Sequence, residues 1–182
     1  MIAYHFLRAD STAGYGDEPA WSIGERREIP RGTQIEKCEY GYHHSPSFFD
    51  CLRYAPGPLA CIVEVRAPRT QIGDDKHVSR SRRLLAAVNV EKELRLFACD
   101  CAWRALERER EIGREPRAAS WSAVEVARKY ATGDASISEL SAAESAARSA
   151  AWSAAESAEI EWQRERLHFY LAPLFPGYEV AK

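Results

Sequence analysis

The stretch from Ser141 to Glu156 repeats a tetrad four times: Ser-Ala-Ala-Glu, Ser-Ala-Ala-Arg, Ser-Ala-Ala-Trp and Ser-Ala-Ala-Glu. Alanine is the strongest helix former, so this tract is strongly helical. A period of four overshoots one helical turn by about 40°, so the serine row winds slowly around the axis. Small side chains on nearly every side let a neighbouring helix approach closely. A packed structural helix is the leading reading and a dedicated partner-binding helix the second. Ser136-x-x-Glu139 is a capping box that opens this helix, and Pro173 closes it. The spacing therefore predicts one long helix over Ile137–Leu171, roughly 50 Å at ~1.5 Å per residue.

Two shorter helices precede it. Glu91–Arg110 places Leu94, Phe97, Ala98, Cys101 and Ala105 on one stripe. Gly113 and Pro116 break it. Arg117–Thr132 aligns Trp121, Val124, Ala127 and Tyr130, and Gly133 is a left-handed stop. The last helix outruns these neighbours, and its end carries Ile160, Trp162, Leu167, Phe169 and Tyr170. Exposed apolar residues in that number need a cover. The sheet of the N-terminal half is the first choice, a second copy of the chain the next, and a foreign partner the third.

Before Asn89 the chain reads differently. Strands are expected at Ile2–Leu7, weakly at Trp21–Ile29, then at Glu39–His44, Leu59–Val65 and Arg82–Val88. The run Leu59–Val65 is apolar almost throughout and so belongs in the middle of a sheet. Ser45 is expected to cap a short helix over Pro46–Tyr54. Asp74-Asp75-Lys76 is a turn. The fold class is α+β: a small mixed or antiparallel sheet with one short helix in residues 1–89, then an alanine-rich bundle of three helices in 90–182. The two parts could also form one compact unit, with the sheet covered by the end of the last helix.

Charge and cysteine usage narrow the function classes. Residues before Asn89 hold 12 basic and 11 acidic side chains, and the rest 13 and 16, so neither half has the basic surplus of a nucleic-acid binder. No apolar run reaches the ~18–20 residues that cross a bilayer. Five cysteines make no disulfide framework, and reduced thiols fit a cytoplasmic setting.

Two family resemblances enter here. Lys37-Cys38-Glu39-Tyr40-Gly41-Tyr42-His43-His44-Ser45, with Asp50, Leu52, Tyr54, Val63-Glu64-Val65 and Asp75-Lys76, resembles a domain of unknown function common in phage and bacterial proteins. Tyr42 and His44 depart from its usual C-x-x-G-F-H-A form. The stretch Leu94 to Ala102 (LRLFACDCA), together with the segment from Ala118 through the alanine tetrads, resembles the immunity-protein family of bacterial polymorphic toxin systems. Together these resemblances imply conflict between phage, plasmid and bacterium. The expected function is a non-enzymatic immunity or inhibitor protein that occludes a protein partner, with Tyr42, His44, Trp152 and Trp162 as contact residues and no cofactor.

An enzymatic alternative rests on order along the chain. His5, Tyr42 and Glu64 follow the sequence of an ADP-ribosyltransferase-like site. There a histidine orients the ribose of NAD, a tyrosine stacks on nicotinamide, and a carboxylate stabilises an oxocarbenium-like state. It requires all three to line one cleft. Cys38, His43, His44 and Cys51 suggest zinc, but adjacent strand residues face opposite sides, so no metal is expected. Gly14-Tyr15-Gly16 is no nucleotide loop. Arg80-Ser81-Arg82-Arg83 reads as a solvated strand edge.

Overall fold

The computed structural model describes residues 1–14, 18–35, 40–147 and 157–182. Five strands, β1 (Ile2–Leu7), β2 (Arg26–Glu28), β3 (Tyr42–His44), β4 (Leu59–Ile72) and β5 (Lys76–Asn89), form one antiparallel sheet. Helix α1 (Phe48–Leu52) lies between β3 and β4. After the sheet come α2 (Glu91–Glu111), α3 (Ala118–Thr132), α4 (Ile137–Ala147) and α5 (Ser157–Leu171). The chain is α+β, and among the described residues no strand follows Asn89.

The chain divides into two compact units. Met1–Val90 with Leu167–Lys182 form the first, and Glu91–Arg166 the second.

In the first unit the strand order is β1-β4-β5-β2, and β3 also pairs with β5. The β4–β5 hairpin is far longer than its apolar stretch. Pairing continues through polar residues to Ile72↔Lys76, because every added pair satisfies backbone groups that would otherwise need other partners. The ring then closes. Tyr4 and Ser45 each donate a backbone N–H to the other's carbonyl at 3.0 Å, joining β1 to the residue just after β3. That use of Ser45 corrects the expected helix start. Ser45 is extended and spent on β1, so Ser47 becomes the N-cap, its hydroxyl accepting the Asp50 N–H at 3.2 Å. Gly41 leads into β3 with φ 147°, and a Cβ there would run into Val78.

Each face of this sheet has its own cover. Ala3, Leu7, Cys61, Val63, Val65 and Leu84 pack with Trp21 from the N-terminal loop. On the other face Phe48 meets Tyr4 and Phe6 at ring distances of 4.6 and 5.9 Å. The C-terminal residues complete it: Leu167, Leu171 and Phe175 are buried, and Phe175 stacks on Phe48 at 5.2 Å.

The second unit begins with α2, whose buried stripe differs from the expected one. Ala98 and Ala105 are exposed, whereas Cys99, Trp103 and Leu106 meet Val124, Trp121 and Ala127 of α3. The wide aromatic ring at Trp103, 4.7 Å from that of Trp121, turns the helix onto this face. Gly133 does end α3, at φ 88°. The capping box forms as read: Ser136 N–H donates to Glu139 Oε2 at 2.8 Å and Glu139 N–H to Ser136 Oγ at 3.3 Å. The long helix expected over Ile137–Leu171 is seen as α4 and α5; the tetrads begin within α4, and residues 148–156 lie outside the described residues. Two buried carboxylates fasten α5. Glu159 receives Arg104 at 2.8 Å and Arg108 at 3.0 Å, and Asp100 receives Arg128 at 2.9 Å and Arg166 at 2.6 Å.

Candidate functional site: the Arg82 cluster

The densest group of polar and aromatic side chains in the first unit surrounds Arg82 on β5. Strand alternation puts Arg82 on the face shared by Leu84, Val65, Cys61 and His5, through the pairs Val65↔Arg82, Val63↔Leu84, Ala3↔Val63 and His5↔Cys61. Arg82 is 3% exposed. Its guanidinium lies 4.4 Å from the ring centre of Trp21 and 5.2 Å from that of Tyr42, which meet edge-to-face at 5.6 Å. Arg82 Nη1 donates to the His43 carbonyl at 3.1 Å, and Glu18 supplies a carboxylate 3.9 Å away.

Arg27 completes the group. It pairs with Arg82 across β2–β5 and sits 4.1 Å from the Trp21 ring, held by Glu25 at 2.6 Å. Trp21 is delivered by the loop before β2, where its N–H donates to the Ser11 carbonyl at 2.9 Å. Burial lowers the Arg82 pKa to about 10, against the opposing pull of Glu18.

Two histidines lie near this cluster. His43 pairs with Val78, two residues along from Arg80 and four from Arg82, and His5 pairs with Cys61. The Nε2 atoms of both are buried without a hydrogen-bond partner. Burial, then the Lys76 and Arg82 charges, lower the His43 pKa to about 4. His5 is pushed well below its usual value by burial and then by Arg82. Both imidazoles are neutral at pH 7.

The residues proposed for an NAD site are not brought together. His5 and Tyr42 both lie near Arg82, but Glu64 pairs with Ile2 and Arg83, on the opposite face from His5. There it forms an ion pair with Arg26, whose Nη1 also donates to Ser81 Oγ at 3.0 Å. The physical reason is parity: Cys61 and Glu64 are three residues apart on β4, and β1 pairs with this stretch in unbroken register. His44, expected to contact a partner, is 2% exposed and stacks on His77 at 5.6 Å, so it is unavailable for that role. Tyr42 is half-buried against Trp21. Trp162 is half-buried beneath Arg104, at 4.5 Å from its ring centre, and Trp152 lies outside the described residues.

The Arg80–Arg83 run corrects the solvated-edge reading at one position. Arg83 is exposed and Arg80 reaches the carbonyls of Pro30 and Thr33, but Arg82 turns inward. Alternation with Leu84 and Val78 was the available signal. Among the described residues no three His, Cys, Asp or Glu side chains gather to hold a metal, and Cys38 lies outside them.

A protein-family comparison matches residues 1–96 to a domain of unknown function, DUF7666. The chain belongs to the DUF7666 family. The matched stretch contains the whole sheet, α1 and the Arg82 cluster, and ends within α2. In this chain the DUF7666 core also takes in Leu167, Leu171 and Phe175, which lie beyond the match. No curated protein and no solved structure matches the chain. Among the described residues no helix is long and apolar enough to cross a membrane.

Proposed function

We propose that this DUF7666 chain is a non-enzymatic protein-binding module, an immunity or inhibitor protein that acts in the bacterial cytoplasm by occluding a protein partner. The observation that carries this reading is the sealed state of the Arg82 cluster. Its guanidinium is taken up by two rings, a carbonyl and Glu18, and the one carboxylate that an NAD site would need faces away with Arg26. Nucleophilic chemistry gains no support from the thiols either. Burial raises the pKa of Cys51, Cys61, Cys99 and Cys101, to about 12 for Cys61 and Cys101, so each is a thiol at neutral pH.

Partner contact is instead supported in the helical part. Ile112 and Ile137 are 63% and 64% exposed, and offer apolar contact to a partner. The resemblance of residues 91–158 to immunity proteins points the same way. In this reading the tetrads continue α4 toward α5, and the three helices form an alanine-rich bundle whose surface meets the partner. The test uses the purified full chain as bait in bacterial and phage-infected lysates. A stoichiometric protein partner that Ile112→Asp or Ile137→Asp releases, with the chain still folded, supports the proposal. Release of nicotinamide from NAD by the purified protein, lost in His5→Ala, overturns it.

A further inference from the structure

The closure of the DUF7666 ring depends on its weakest joint. β1 joins β4 through six residue pairs and β4 joins β5 through twelve, but among the described residues β1 joins the β3 segment through the single Tyr4↔Ser45 bridge. A histidine flanks that bridge on each side: His5 follows Tyr4, and His43 stands two residues before Ser45. His5 pairs with Cys61 and His43 with Val78, and the Arg82 charge reaches both imidazoles. Both have a buried, unpartnered Nε2. A proton arriving on either ring would place a second cation beside a buried guanidinium, across the joint held by the fewest hydrogen bonds.

We propose that the Tyr4–Ser45 joint is an acid-operated release, which opens when His5 and His43 take up protons and frees facing edges of β1 and β3.

The surrounding charges set the direction. After burial, the Arg82 and Lys76 charges of β5 lower both histidines, and the neighbouring His43 and His44 lower His5 further. Opposite His5 on β4 is Cys61, a neutral thiol, with Cys51 of α1 near it. Among the neighbouring carboxylates, Asp50 of α1 accepts the Ser47 hydroxyl at 2.7 Å, Glu64 holds Arg26 on the other face, and Glu18 serves Arg27 and Arg82. Glu179 of the tail meets β1 through its carbonyl, 3.3 Å from the Tyr4 hydroxyl. Among the described residues no carboxylate acts on either imidazole. The closed ring therefore holds both histidines neutral, and the open ring lets them ionise near pH ~6.5. Since the open form binds more protons, closure is complete above that pH and is lost as pH falls toward about 4.

Residue-resolved hydrogen exchange on the full chain tests this between pH 7 and 4. After correction for intrinsic rates, protection of the Tyr4 and Ser45 amides should fall ~10-fold per pH unit for each histidine, while the β4–β5 amides keep theirs. In His5→Gln/His43→Gln the decline should vanish. Equal loss of protection in every strand would mean global unfolding and would overturn the proposal, as would constant protection at the joint. If the double variant does not fold, the imidazole resonances of the native chain decide: titration of His43 near its ordinary ~6.5 defeats the idea, and titration near 4 sustains it.

Discussion

Phe48 and Phe175 stack with ring centres 5.2 Å apart and planes inclined by 28°, although 127 residues separate them in the chain. This contact, with the hydrogen bonds that the Tyr4 hydroxyl makes to the Glu179 carbonyl and the Ala181 N–H, fixes the C-terminal residues on one face of the sheet. Phe175 is 2% exposed, so Phe175→Ala should cost about 3–5 kcal/mol. Tyr4→Phe should cost only about 1 kcal/mol, because it removes hydrogen bonds and keeps the ring. Urea titration followed by circular dichroism reads both. Equal costs would mean that Phe175 is not part of the core.

Arg82 is predicted to resist even a conservative change. A lysine ammonium cannot lie flat against Trp21 and Tyr42 while donating to the His43 carbonyl. Arg82→Lys should therefore lose about 1.5–3 kcal/mol in the same titration, and Arg27→Lys less, since it sits nearer the rim. A native-like midpoint for Arg82→Lys would show that the cluster contributes charge and no geometry.

Thiol reactivity should separate the cysteines. Burial first, then the neighbouring Cys61 and Asp50, raises the Cys51 pKa, while burial takes Cys61 to about 12. Their reactive thiolate fraction thus stays low until the pH approaches those values. At pH 8 iodoacetamide should leave both unmodified in the folded chain and label both in denaturant, as peptide mapping by mass spectrometry would report. Rapid labelling of Cys61 in native protein would contradict its burial.

In the helical unit the anchor is ionic more than apolar. Trp162 is half-buried, so Trp162→Ala should cost about 1–2 kcal/mol rather than the 3–5 that full burial would carry. Glu159→Gln leaves Arg104 and Arg108 without their shared carboxylate and should cost about 1–2 kcal/mol, discounted because both arginines are more than one-third exposed. Thermal melts at 0.05 and 1 M salt provide the check: the native chain should lose more stability with salt than Glu159→Gln, which keeps the Asp100 pairs.

Local chemistry was legible wherever neighbouring residues alone set the outcome. Ser136 with Glu139 opens α4, Gly133 closes α3, and Asp74-Asp75 turns the long hairpin, because each depends on atoms a few residues apart. The apolar run Leu59–Val65 likewise announced a central strand, and the family match to residues 1–96 covers the N-terminal segment whose resemblance was read from its residues. Parity decided what composition could not. Once β1 and β4 pair at His5↔Cys61, Glu64 must face the other way, and Arg82 must turn inward beside Trp21. Register depends on which strands meet, and a shift of one residue would exchange every side chain between the faces. The sequence by itself therefore determined most of the elements, the caps at Ser136 and Gly133, and the division into strands and helices. Only the tertiary structure decided that Ser45 belongs to β1 instead of capping a helix, that Phe175 returns to Phe48, and that Arg82 is the buried cation, because long-range pairing outweighs local preference when it satisfies buried backbone and apolar surface together.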